Sequence, residues 1–153
     1  MKIGIIVHSH TGNTLKVAEK IRDKLAEKGQ DAIVLRVSAE DEKARSNIVL
    51  RDKPDTDSFD TLIFGAPVWA FSVSPVMKQY FAELNSLKGK KVACFVTQGG
   101  SPWFGGNRSI RQMVEFCRKK GAKAEMTEII GWRGENLDQR IDSAAKSLSG
   151  IAK

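Results

Sequence analysis

Five short apolar runs alternate with amphipathic stretches along this chain, and that alternation leaves it few ways to fold. The runs are residues 2–8, 31–37, 61–66, 91–97 and 124–130. Each is nearly continuous in apolar residues, the pattern of a strand covered on both faces. Between them, Leu15, Ala18, Ile21 and Leu25 fall on one helical face that stops near Gly29, a glycine well placed as a C-terminal cap. Ser74 and Pro75 supply the cap and first-turn proline of a second helix, whose stripe is Met77, Tyr80, Phe81 and Leu84. A third opens at Asn107 or Ser109, carries Ile110, Met113, Val114 and Cys117, and ends at Gly121. Leu137, Ile141, Ala144, Ala145 and Leu148 mark the last. Residues 38–58 are polar apart from an apolar island at Ile48 to Leu50, and read either as a short helix or as an irregular crossover. The whole predicts a single α/β domain over residues 1–153, a doubly wound five-stranded parallel sheet with helices on both faces. For the strand order 2-1-3-4-5, residues 9–14, 67–74 and 97–106 meet at the carboxyl edge of the sheet, where ligands bind.

The first of these stretches reads Ser9-His10-Thr11-Gly12-Asn13-Thr14, between an apolar strand and a helix start. The opening turn of a helix presents unpartnered N–H groups and a partial positive charge, so a phosphate placed there is held. Gly12 permits close backbone approach, and Ser9, Thr11 and Thr14 add hydroxyls. There is no Lys in the turn, so it is not a nucleotide-triphosphate loop, and a single terminal phosphate suits it better. The competing interpretation is an ordinary capped helix start.

The other two stretches hold aromatics where a helical stripe would not put them. Pro67-Val68-Trp69-Ala70-Phe71 follows the third strand, and Thr97-Gln98-Gly99-Gly100-Ser101-Pro102-Trp103-Phe104-Gly105-Gly106 follows the fourth. Aromatic side chains flanking a crevice suit a planar ring, and the glycines expose backbone groups to its polar rim. A phosphate socket beside a flat slot specifies a mononucleotide-like ligand. Trp132, after the fifth strand, is expected to pack against an edge.

Composition narrows the function classes. No apolar run approaches the roughly 18 residues of a membrane helix and no basic-then-apolar leader opens the chain, so a cytoplasmic location is expected. Cys94 and Cys117 fall at apolar positions and read as core thiols, and His8 and His10 lack further ligands at metal-binding spacing, so no metal site is expected. Residues 1–58 carry 11 Lys and Arg against 10 Asp and Glu, whereas residues 59–153 carry 14 against 8. A basic second half suits an acidic partner. Nucleic acid is not expected, because no recognition motif is present and the aromatics are not interleaved with the basic residues.

With these motifs in place, the chain resembles a short-chain member of the flavodoxin family from Met1 to about Gly150. Residues 9–14 are similar to the family's [ST]-x-T-G-x-T turn for the FMN phosphate. Gly65-Ala66-Pro67-Val68-Trp69 resembles the loop on one face of the isoalloxazine ring, and residues 97–106 the loop on the other. The resemblance implies non-covalent FMN, with Ser9, His10, Thr11, Gly12, Asn13 and Thr14 at the phosphate and Pro67, Val68, Trp69, Ala70, Phe71, Thr97, Gln98, Gly99, Gly100, Trp103, Phe104 and Gly105 around the ring. No catalytic residue is implied. One departure is clear: family carriers are acidic and their ring loops usually contain Asp or Glu, whereas residues 67–74 and 97–106 contain neither, and Ala70 and Phe71 stand where a Gly and an acid are common. An electron carrier serving a redox partner protein, with an acidic docking site and a monomeric carrier favoured, is the primary expectation. The alternatives are an FMN-dependent NAD(P)H:quinone oxidoreductase, with Arg108 or Arg111 meeting a nicotinamide phosphate, and a flavin-free interaction module on the same fold.

Overall fold

Every residue of the first strand, β1 (Ile3–His8), is buried, as a strand covered on both faces requires. In the computed structural model, which describes residues 2–99 and 105–152, there follow α1 (Asn13–Glu27), β2 (Ala32–Ala39), β3 (Leu50–Asp52), β4 (Thr61–Trp69), β5 (Ser72–Val73), α2 (Pro75–Glu83), β6 (Lys91–Gln98), α3 (Gly106–Lys119), β7 (Ala124–Gly131), α4 (Leu137–Ser149) and one 3-10 turn (Gly150–Ala152). The sheet runs β3-β2-β1-β4-β6-β7, with β5 paired to β4. β2, β1, β4, β6 and β7 are mutually parallel neighbours, with Ile3 opposite Ala32 and Thr61, and Thr61 opposite Lys91. Counting these alone gives the expected order 2-1-3-4-5.

Two strands go beyond the expected five, and both are antiparallel. In the 38–58 segment, Ile48 and Leu50 are partly buried against the core and Val49 is exposed. That alternation of period two belongs to a strand, and β3 accordingly pairs with the end of β2 through Ser38 and Ala39. The rest of the segment is irregular and contains no helix. β5 exists because β4 continues three residues past its expected end and turns back on itself, Trp69 opposite Ser72. Ala70 and Phe71 form the two-residue turn with φ of 51° and 66°, the left-handed pair a tight hairpin needs. Sequence signals for such a turn are Asn-Gly or Gly-Gly, which is why Ala-Phe concealed it.

The sheet separates two apolar layers. Val76, Met77 and Phe81 of α2 and Met113 and Cys117 of α3 pack with Leu62, Phe64, Val92 and Val96 on one face. Val17, Ile21 and Leu25 of α1 and Ile141, Ala145 and Leu148 of α4 pack with Ile3, Ile5, Ile63 and Phe95 on the other. Gly65 makes room in this second layer, since a Cβ there would lie 2.1 Å from the Phe95 ring. Cys94 and Cys117 are free, fully buried core thiols with sulfurs 3.6 Å apart. The end of α1 and the start of α2 follow the expected chemistry, whereas α3 opens at Gly106 on a left-handed Gly105 cap rather than at Asn107 or Ser109. Gly29, at φ 74°, lets the N–H of Gln30 reach Leu25 O and that of Gly29 reach Ala26 O, a Schellman cap. Ser74 caps α2, accepting from the Met77 N–H, with Pro75 in the first turn. Trp132 packs partly buried against the α4 layer, and its backbone N–H donates to Gln98 O at 2.7 Å.

Candidate functional site

At the carboxyl edge the backbone leaves β1 through a turn that opens α1 on a glycine N-cap. Gly12 takes the N-cap position at φ 96° and has no side chain with which to cap the helix. Ser9 is buried, and its hydroxyl accepts from the Leu15 N–H at 3.1 Å, while the Lys16 N–H returns to Gly12 O at 3.0 Å. What remains at the mouth is a donor set of one kind: first-turn amides, the exposed Thr11 and the outer rim of Asn13, with no acidic residue in the first turn of the helix. Such a set fits an anion and repels no phosphate. Thr14 differs from its neighbours, because its hydroxyl is buried against the Thr97 hydroxyl at 2.8 Å and stitches α1 to β6. Arg36, from β2, donates to Ser9 O at 2.6 Å and fixes the strand side of the turn.

The second expected stretch is the β4–β5 hairpin. The Trp69 side chain is half-buried, and its ring stands edge-on to His8 (centroids 5.3 Å apart, 75°) and to His10 (5.9 Å, 87°). Phe71 projects from the tip, 59% exposed. Gln112 of α3 holds the returning strand, its side-chain oxygen accepting from the Ser72 hydroxyl and the Val73 N–H, both at 3.0 Å. Pro67 O accepts from the Ser74 N–H at 3.1 Å.

Of the third stretch, Thr97 and Gln98 are buried at the end of β6 and Gly99 is exposed. Gly105 caps α3 at φ 112°, so close to the hairpin that a Cβ would lie 2.6 Å from Phe71 Cα and 2.8 Å from Val68 Cγ1. Gly100, Trp103 and Phe104 lie outside the described residues. The described parts of all three stretches therefore touch: the turn meets β6 at Thr14–Thr97, the hairpin meets the turn at Trp69, and α3 meets the hairpin at Gly105. Arg108 and Arg111 are exposed on the first turns of α3 beside this edge.

Sequence reasoning did not anticipate the ionisable group behind the turn. His8 has no exposed surface, with Nε2 2.7 Å from Glu42 Oε1 and Nδ1 2.8 Å from Ser74 Oγ. Burial pushes the imidazole below its ordinary pKa, against the opposing pull of Glu42. Burial pushes Glu42 upward, but the Ala39 N–H and His8 outweigh it and hold the carboxyl below its usual range. The pair is thus a carboxylate and a neutral ring, Nε2–H donating to Glu42 and Nδ1 accepting from the Ser74 hydroxyl. The single signal in the sequence was a His ending an otherwise apolar strand.

A groove of about 950 Å³ lies elsewhere, between α1 and α4. Its cations are engaged, Lys16 with Asp138 and Lys20 with Asp142, so it lacks the convergent donors of the strand edge.

A doubly wound sheet with an anion-ready turn after β1 and an aromatic hairpin after β4 defines a mononucleotide-binding α/β protein. The chain belongs to the flavodoxin family, whose sequence profile matches residues 5–145. It is 27% identical over 152 residues, 95% of this chain and 79% of the relative, to a flavodoxin of Trichodesmium erythraeum (strain IMS101). It is 22% identical over 132 residues, 74% of this chain and 67% of the relative, to an FMN-dependent NADH:quinone oxidoreductase of Clostridium perfringens. Its fold is similar to that of a flavoprotein from Lactobacillus acidophilus NCFM solved in complex with FMN, at a TM-score of 0.64 and 20% identity, covering 95% of this chain and 99% of the other. As a member of this family the chain is an FMN-binding electron-transfer protein that passes electrons to redox partners. No helix among the described residues is long and apolar enough to cross a membrane.

Proposed function

We propose that the chain is an electron carrier rather than a pyridine-nucleotide-dependent reductase, with its flavin held at the carboxyl edge of the sheet. The observation that carries the site assignment is the left-handed start of α1 at Gly12 beside an aromatic hairpin, with the Trp69 ring against His8 and His10 and the Thr14–Thr97 hydrogen bond joining the helix start to β6. The backbone amides of residues 11–14 with the Ser9 and Thr11 hydroxyls and Asn13 would hold the phosphate, His10 standing at its margin. Pro67, Val68, Trp69, Ala70 and Phe71 would line one side of the ring, and Thr97, Gln98, Gly99 and Gly105, continuing through Gly100, Trp103 and Phe104, the other. Bound FMN supplies the capacity to accept and release electrons one or two at a time. The protein's own part is to orient it, to exclude water with Trp69 and the hairpin, and to set the charge around it.

Arg108 and Arg111, exposed at the start of α3, give this edge a positive rim suited to an acidic partner. The chain would act as a monomer in the cytoplasm. Similarity to the Clostridium perfringens oxidoreductase keeps a reductase as the competing reading. Anaerobic mixing of flavin-loaded protein with NADH or NADPH separates the two. A carrier leaves the oxidised flavin band unbleached until a reductase is added, whereas bleaching by the nucleotide alone, with turnover on a quinone, makes the protein an enzyme.

A further inference from the structure

His8 joins three segments that are remote in sequence. It is the last residue of β1, directly before the phosphate turn. Its Nε2 meets Glu42 in the irregular segment after β2, and its Nδ1 meets Ser74 at the start of α2. Both partners are themselves anchored: Glu42 Oε2 accepts from the Ala39 N–H at 2.5 Å, and Ser74 Oγ accepts from the Met77 N–H at 3.4 Å. A continuous hydrogen-bonded chain therefore runs from the end of β2, through one fully buried imidazole, to the first turn of α2. Against the side of this imidazole stands Trp69, braced at right angles by His10 two residues further along. A strand end that needs only burial is filled more cheaply by Ile or Val, as at Ile6 and Val7. A ring bonded at both nitrogens fixes orientation as well.

We infer that His8 is a positioning residue for the flavin: tied to Glu42 and Ser74, it fixes the plane and height of the Trp69 ring on which the isoalloxazine rests. The inference rests on the assignment of Trp69 to the ring. The charged and titratable groups that face His8 are Glu42, His10 and Arg36 of β2, while residues 67–74 contribute no acid or base and the first turn of α2 no acid. With Phe at position 8 an aromatic face still meets Trp69, but Glu42 and Ser74 lose their shared partner and the hairpin is free to shift. Gln at position 8 restores a donor for Glu42 and an acceptor for Ser74.

The test is a titration of apoprotein with FMN and with riboflavin for the parent, His8→Phe and His8→Gln, with visible circular dichroism of the bound flavin and the thermal midpoint of each apoprotein. The expected result is that His8→Phe weakens both ligands by tenfold or more and changes the flavin dichroism, while His8→Gln stays within threefold of the parent with parental dichroism. Loss confined to FMN would assign His8 to the phosphate turn and overturn the inference. So would parental binding by His8→Phe, or equal losses in both variants that follow their thermal midpoints. A parent that binds neither ligand would overturn the flavin-site assignment itself, and the inference with it.

Discussion

The hydroxyls of Thr14 and Thr97 lie 2.8 Å apart with both side chains buried, joining the first turn of α1 to the end of β6. Replacing one member leaves the other without a partner, at a cost of about 1–3 kcal/mol, whereas replacing both by apolar side chains of the same shape is close to neutral. Thr14→Val should therefore lower the unfolding free energy of the apoprotein by about that amount, and Thr14→Val with Thr97→Val should recover most of it. Urea denaturation of the two single variants and the double variant measures the coupling. Additive losses would mean that the two hydroxyls do not depend on each other.

Gly105 is the tightest point between α3 and the hairpin. Its φ of 112° disfavours any side chain, and a Cβ would fall 2.6 Å from Phe71 Cα, a backbone atom that cannot rotate away. Gly105→Ala should destabilise by roughly 2–4 kcal/mol from strain and overpacking together. It should also displace the hairpin, seen as altered near-ultraviolet dichroism from Trp69. Gly12→Ala makes the control, because Gly12 is likewise left-handed but a new Cβ there meets no neighbouring side chain or backbone within 4 Å among the described residues, so it should cost only the backbone strain.

Acid should loosen the protein in two stages. His8 has its pKa lowered from 6.5 by folding, so the unfolded chain takes up a proton more readily, and stability complete above pH 6.5 is lost as the pH falls toward the folded value. Glu42, lowered from 4.5, contributes stability that is complete above pH 4.5 and is lost as the pH falls through its folded value. Denaturation midpoints measured against pH should begin to drop just below 6.5 in the parent. In His8→Gln that first drop should be absent and the Glu42 stage should remain. A parent profile that stays level from 6.5 down to 4.5 would contradict the assignment of a neutral, buried imidazole.

Neither residues 67–74 nor residues 97–106 contain a carboxylate, and the chain carries a formal charge of +7. Full reduction makes the flavin an anion at neutral pH, which nearby carboxylates oppose and nearby cations favour. Introducing a carboxylate at the hairpin tip should therefore make the second one-electron potential more negative. A charge interaction of about 1.4 kcal/mol corresponds to roughly 59 mV for one electron. Ala70→Asp is the suitable variant, because Asp tolerates the left-handed φ of 51° at least as well as Ala. Spectroelectrochemistry should show a shift of tens of millivolts, reduced by added salt. An unchanged potential would place the tip too far from the flavin to matter.

The sheet was legible because β1, β4 and β6 are nearly continuous apolar runs, β2 and β7 are largely apolar, and the helices carry a clear period. Ser74-Pro75 and Gly29 marked boundaries for reasons that act within a few residues. The hairpin was not legible, since Ala70 and Phe71 adopt left-handed geometry that their identities disfavour, held there by Gly105 and Gln112 from another element. β3 was hidden for a similar reason: three residues depend on pairing with β2 more than on their own pattern. At the site, the turn at residues 9–14 was visible from spacing alone. The division of labour within it was not, because only the fold shows Thr14 committed to Thr97 while Thr11 stays exposed. The Glu42–His8–Ser74 chain joins positions 34 and 66 residues apart, and no local pattern encodes such a contact.

The central claim is a phosphate socket at residues 9–14 beside a ring site, and comparing FMN with riboflavin on the same apoprotein tests it most directly. Charge-assisted hydrogen bonds from the turn should make FMN bind far more tightly than riboflavin, saturating at one flavin per chain. Thr11→Ala, which removes an exposed hydroxyl with no structural partner among the described residues, should narrow that gap by weakening FMN alone. A fluorescence titration in which the two ligands bind equally, or in which Thr11→Ala weakens both alike, would contradict the account.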